Sequence, residues 1–196
     1  MSEILFVRHA ETDMAGTYCG HSDPEVNARG REQISELINK LRDEDIDVVY
    51  TSDLRRASST ANAIAEAFGV KCHARRALRE ISFGRWEGLS WKEIEQRDAV
   101  FARRWIAQHP MLAAPDGEAF RHFEQRVLNE VEFLSTKAAE QSIAVVTHAG
   151  VLRTVLCSLN NCNQADAWRQ TKTYCAIVRH AVAPSLQATP IIGANS

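Results

Sequence analysis

Ile143-Ala144-Val145-Val146-Thr147-His148-Ala149-Gly150 is the stretch that decides the fold class. Its first five residues are apolar or β-branched and show no polar alternation, the composition of a strand buried on both faces. The run stops at a histidine and leads into Val151–Leu159, a helical pattern. Outward from it, two more short runs repeat that plan. Ile4–Val7 reads as a buried strand ending in Arg8-His9-Ala10-Glu11-Thr12, and Asp47–Thr51 reads as another, leading to Arg55 and Arg56. Ile34, Leu37, Ile38 and Leu41 fall at i, i+3, i+4 and i+7, which predicts a helix from Asn27 to about Glu44. Leu54, Ala57, Ala61, Ile64 and Phe68 trace a second helix, stopped by Gly69. Phe120, Phe123, Val127, Val131 and Leu134 mark a third. The tail from Thr173 to Ile192 holds two apolar runs split by Pro184, expected as peripheral strands. Strands alternating with helices predict an α/β fold, a three-layer α/β/α sandwich with a mostly parallel sheet.

No linker, repeat or low-complexity segment divides the 196 residues, so residues 1–196 read as a single domain. Lys and Arg number 23 against 25 Asp and Glu, with no basic run, which argues against a nucleic-acid partner. Cys19, Cys72, Cys157, Cys162 and Cys175 form no CxxC pair, which argues against a disulfide framework or structural zinc and suits a reducing compartment. No run approaches the roughly 20 apolar residues of a membrane span. Ile4–Val7 is too short for a signal sequence and is followed at once by charge. The expectation is a cytoplasmic protein with no membrane partner, a monomer or a homodimer.

Parallel sheets place ligands at the carboxyl ends of their strands. Arg8 and His9, Arg56, and His148 all follow expected strand ends. Two imidazoles beside guanidinium groups describe a pocket for an oxyanion, because arginine matches phosphate oxygens with two parallel hydrogen bonds. Neighbouring cations also favour neutral imidazole, whose lone pair is what a nucleophile needs.

Here the sequence resembles a known family. Arg8-His9-Ala10-Glu11-Thr12 is similar to the Arg-His-Gly-Glu-Thr/Ser signature of the histidine phosphatase superfamily, which includes the cofactor-dependent phosphoglycerate mutases. Ser52–Ala61, Leu78–Gly88, Pro115–Phe120 and Val146–Arg153 resemble further segments of that family, in the same order. The resemblance implies a phosphoglycerate mutase-like sandwich and phosphate-ester hydrolysis without metal or cofactor. It implies His9 as the nucleophile and Arg8, Arg56 and His148 as ligands of the phosphoryl oxygens. Glu80 is implied as proton donor, with Glu11 and Thr12 in support and about 78–118 as a lid. Glu11 is expected to pair with an arginine, and Phe83 and Trp86 to wall Glu80. Arg55 is expected on the surface, Arg153 at the site's edge or on a helix surface, and His21 is singled out among the other histidines. Two departures stand out. Ala10 replaces the family glycine, and no asparagine follows Glu11, so Thr12, Thr17 or a backbone N–H must take over that contact or it is lost.

Within the superfamily, Ala15–His21, Phe83–Gly88 and Pro115–Phe120 look most like the α-ribazole-5′-phosphate phosphatases. That implies a small-molecule phosphomonoester, α-ribazole 5′-phosphate, in assembly of the cobalamin nucleotide loop, its base stacked on Phe83 or Trp86. The alternatives are a broad-specificity phosphatase, a mutase, or a non-catalytic phosphate-binding module. Binding alone needs neither His9 nor Glu80, so their joint presence favours an enzyme.

Overall fold

The computed structural model describes residues 2–182. Strands β1 (Glu3–Arg8), β2 (Val48–Thr51), β3 (Lys71–Ala74), β4 (Ile143–Thr147) and β5 (Ile177–Ala181) form one sheet in the order β3-β2-β4-β1-β5. All neighbours are parallel except β5, which runs antiparallel to β1. Arg8 pairs with Thr147 and Thr51 with Val146, so the carboxyl ends of β1, β4 and β2 lie side by side although β1 and β4 are far apart in sequence.

The helices are α1 (Ala28–Leu41), α2 (Arg55–Phe68), α3 (Trp91–Arg97), α4 (Ala99–Gln108), α5 (Phe120–Ala138), α6 (Ala149–Thr154) and α7 (Gln164–Thr171). Successive strand residues point to opposite faces, and the core divides accordingly. Ile4, Phe6, Val145 and Tyr50 pack with Phe123, Val127, Val131 and Leu134 of α5 and with Val151 and Leu152 of α6. Leu5, Val7, Val49, Ala144 and Val146 pack with Leu37 and Leu41 of α1 and with Ala57, Ala61 and Ile64 of α2. Helices therefore cover both faces, which is the expected three-layer sandwich.

Local signals set the helix ends. Asn27 precedes α1 and its side chain accepts the Gly30 N–H. Gly69 closes α2 at φ 66°, a left-handed conformation that glycine adopts at little cost. The structure shortens the expected first helix, which stops at Leu41 rather than near Glu44. The expected Val151–Leu159 helix continues α6 through a π-helical turn, Val155–Leu159. Strand β3 and helix α7 carry little apolar signal, the first because Lys71-Cys72-His73-Ala74 is an edge strand with no fully buried residue. Of the two apolar runs expected in the tail, the first is β5; the second lies outside the described residues. Among those described, no helix is long and apolar enough to cross a membrane.

Residues 79–118 depart from the alternation. They contain α3 and α4, and they gather a separate core in which Trp86, Ile94, Ala102 and Ala114 pack with Tyr18, Phe83, Trp91, Phe101 and Trp105. Three tryptophans thus hold this segment together, with Trp86 and Trp105 centroids 5.1 Å apart, edge to face.

Candidate active site

His9 follows β1, and its backbone N–H bonds to Thr147 O at 2.9 Å, which extends the ladder to β4. Its ring Nδ1 lies 2.7 Å from Ala10 O. A carbonyl only accepts, so Nδ1 must carry the hydrogen, and Nε2 keeps its lone pair in the neutral ring. Arg56 Nε donates to that Nε2 at 3.3 Å. Burial first, then the charges of Arg56 and Arg8, hold the His9 pKa well below the usual 6.5.

His148 stands beside it, ring centroids 5.1 Å apart. It is fully buried at the end of β4. Its pKa is also pushed well below 6.5, by burial and then by Arg56, His9 and Arg8. Both His148 nitrogens and Arg8 Nε are the buried side-chain polar atoms without a hydrogen-bond partner among the described residues. Such atoms are costly unless a ligand satisfies them, and here they sit on neighbouring strand ends.

The arginines are held rigidly. Arg56 is 1% exposed; its Nη1 and Nη2 donate to Ser22 O at 2.6 Å and Gly20 O at 2.8 Å. Arg8 Nη1 donates to Thr171 O and Lys172 O at the end of α7, and its guanidinium lies 4.1 Å from the Tyr174 ring centroid. Tyr174 also approaches the His9 ring, 5.7 Å between centroids. No motif pointed to Tyr174; only the return of the chain to β1 through β5 brings it here. Arg55 is exposed and pairs with Glu25. Arg153 lies over Trp168 on α7, with Nε bonded to Ala149 O.

The Glu80 carboxylate accepts two backbone N–H groups, Ile81 at 2.9 Å and Gly150 at 3.0 Å. The second comes from the turn that carries His148. Phe83 and Trp86, expected to wall Glu80, pack in the aromatic core of residues 79–118. His21 reaches the same residue, with Nε2 2.9 Å from Glu80 O. A Cβ on Gly150 would stand 2.1 Å from Glu80 Oε1. Gly150→Ala is therefore expected to displace the carboxylate and cut kcat by about 10²-fold, the scale of a lost acid–base group. Steady-state kinetics with retained circular dichroism checks it.

The first loop departs from expectation at Glu11. Glu11 pairs with no arginine among the described residues; Asn27 Nδ2 donates to its Oε1 at 3.2 Å, so it anchors the loop to the start of α1. The hydroxyls of Thr12 and Thr17 are engaged inside the loop, with Met14 N donating to Thr12 Oγ1 and Thr17 Oγ1 donating to Met14 O. Ala10 is fully buried beside Val26 and Ile34 and is not among the residues at positive φ, so the alanine carries no backbone strain.

At the opposite, amino ends of β1, β2 and β4 lies a recess lined by Glu3, Asp43, Glu44, Asp45, Asp47 and Glu140. Its charge repels an anion, whereas the crevice at the strand ends attracts one. Among the described residues no cluster of three or more His, Cys, Asp or Glu is arranged to hold a metal ion.

The family model described as histidine phosphatase superfamily (branch 1) matches residues 4–186. The chain belongs to this superfamily. Phosphoserine phosphatase 1 of Hydrogenobacter thermophilus is 30% identical over 170 residues, 86% of this chain and 81% of that one. The adenosylcobalamin/alpha-ribazole phosphatase of Escherichia coli is 33% identical over 158 residues, 80% of this chain and 78% of that one. The solved structure of the alpha-ribazole phosphatase from Shigella flexneri superposes with a TM-score of 0.74 at 33% identity, covering 85% of this chain and 84% of that one. As a histidine phosphatase, the chain is a phosphatase by family, on the phosphoglycerate mutase-like sandwich its sequence predicts.

Proposed function

We propose that the chain is a metal-independent phosphomonoester hydrolase that works through a phosphohistidine on His9. The observation that supports this most directly is the lone pair on His9 Nε2, set among Arg8, Arg56 and His148. Nε2 attacks phosphorus in line with the ester oxygen. The N–P bond forms as the P–O bond breaks, while Arg8, Arg56 and His148 hold the equatorial oxygens where charge accumulates. Glu80 gives its proton to the departing alkoxide. It then takes one from the water that attacks phosphorus and releases inorganic phosphate, which restores His9. Permanent guanidinium charge does the neutralising that a divalent metal does in other phosphatases. Residues of about 78–118 act as a lid, built on their own aromatic core.

For substrate we propose α-ribazole 5′-phosphate, on the strength of the loop segments and the relatives that carry that name. The test is phosphate release in EDTA from a panel of α-ribazole 5′-phosphate, phosphoserine and 3-phosphoglycerate. Preference for the first, with acid-labile phosphate trapped on His9, is the expected result. Preference for phosphoserine would move the chain to the reading of its other relatives. A requirement for added metal would overturn the mechanism.

A further inference from the structure

Glu118, inside one of the recurrent segments, and Arg126 on α5 take no part in the chemistry above. We propose that Arg126, clamped by Glu118, is a positioning residue that sets where the proton donor Glu80 sits; the proposal rests on the reading of Glu80 as that donor. Residues 79–83 belong to no helix or strand, so tertiary bonds must place them. Arg126 supplies several of these, beside the His21 contact with Glu80 O. Its Nη1 donates to Ala77 O at 2.8 Å and Arg79 O at 2.7 Å, and its Nη2 to Glu80 O at 2.9 Å. Glu118 fixes the fork from behind, accepting Nε and Nη2, both at 2.8 Å.

Glu118 is itself tied to the same stretch, its backbone N–H donating to Ser82 O at 2.9 Å. The chain is thus gripped on both sides of Glu80 by one ion pair. The consequence reaches the carboxylate, because one of its two donors, Ile81 N–H, belongs to the gripped backbone. Gly150 N–H, the other, is fixed by α6. If the gripped backbone shifts, the carboxylate cannot keep both donors and its aim at the ester oxygen is lost, and misplacement on the ångström scale is costly to catalysis. Lysine cannot replace the fork, since one ammonium cannot span three carbonyls and a carboxylate in a plane.

A residue that only stabilised the fold would affect all substrates alike. A residue that places the acid affects those whose leaving group needs a proton. Arg126→Lys and Glu118→Gln are therefore compared with wild type on p-nitrophenyl phosphate, whose phenolate leaves unaided, and on an alkyl phosphate, whose alkoxide does not. Each variant is expected to lose about tenfold or more in kcat/KM on the alkyl ester and less than about threefold on the aryl ester. Glu80→Gln should show the same asymmetry, larger. Equal loss on both esters, or none, would overturn the positioning role. If Arg126→Lys fails to fold, Glu118→Gln decides alone. Wild type inactive on both esters would instead sink the phosphatase reading, and Glu80→Gln without asymmetry would sink the donor assignment; either takes the proposal with it.

Discussion

His9→Ala is expected to lower the rate of phosphate release by on the order of 10⁵-fold, the scale on which enzymes lose activity with their nucleophile. The neighbouring imidazole, His148, is the proposed ligand of the phosphoryl oxygens rather than a second nucleophile. Burial raises the pKa of the Cys19 thiol and of the Tyr174 hydroxyl, so neither offers an anion near neutral pH. The variant should also carry no acid-labile phosphate after mixing with substrate and quenching, which single-turnover labelling measures. Labelling that survives would place the covalent step elsewhere. The same residue has a pH signature. His9 and His148 both have pKa values pushed well below 6.5 by burial and by the arginines. In the unfolded chain they take up protons as pH falls through about 6.5, while in the folded protein they do not. Their contribution to stability is therefore present above that pH and is lost progressively below it. Urea denaturation at pH 5 and 7 should show the drop, and it should shrink in a His148→Asn variant. A drop of equal size in that variant would remove His148 from the account.

Arg56→Met is expected to act on stability and activity together. It removes the donors to Ser22 O and Gly20 O, both inside the loop that faces the site. Gly20 O then loses its Arg56 donor in the interior and Ser22 O keeps only the weak Cys19 thiol, at a cost of up to about 1–3 kcal/mol each, less whatever water can reach. It also removes the Nε donor from His9 and one fixed charge from the transition state, worth about 10²–10³-fold in rate. The expected result is a fall of about 2–4 kcal/mol in urea-measured stability and a fall of about 10³-fold in kcat/KM. A variant as stable as wild type would show that the loop is held by something other than Arg56.

Much of this was legible in the residues. Buried strands declare themselves by unbroken apolar runs, so β1, β2 and β4 needed no structure. Helices α1, α2 and α5 declared themselves by spacing, since one face of each packs on the sheet. Edge strand β3 and exposed helix α7 did not, because burial writes the pattern and they have little of it. Phe83 and Trp86 lie near Glu80 in sequence, and both pack edge-on against Tyr18.

Chain order alone determined the sandwich, the strand ends that carry His9, Arg56 and His148, and membership of the histidine phosphatases. Those features are local: a strand, its last residue and the first turn after it. Only the tertiary structure decided what each polar group faces. It set the hydrogen on His9 Nδ1 through Ala10 O, turned Glu11 toward Asn27, brought Tyr174 over Arg8 and clasped Glu80 between Gly150 and Arg126. Hydrogen bonds fall off over a fraction of an ångström and depend on angle, so they are fixed by how distant segments dock, a quantity no sequence spacing encodes.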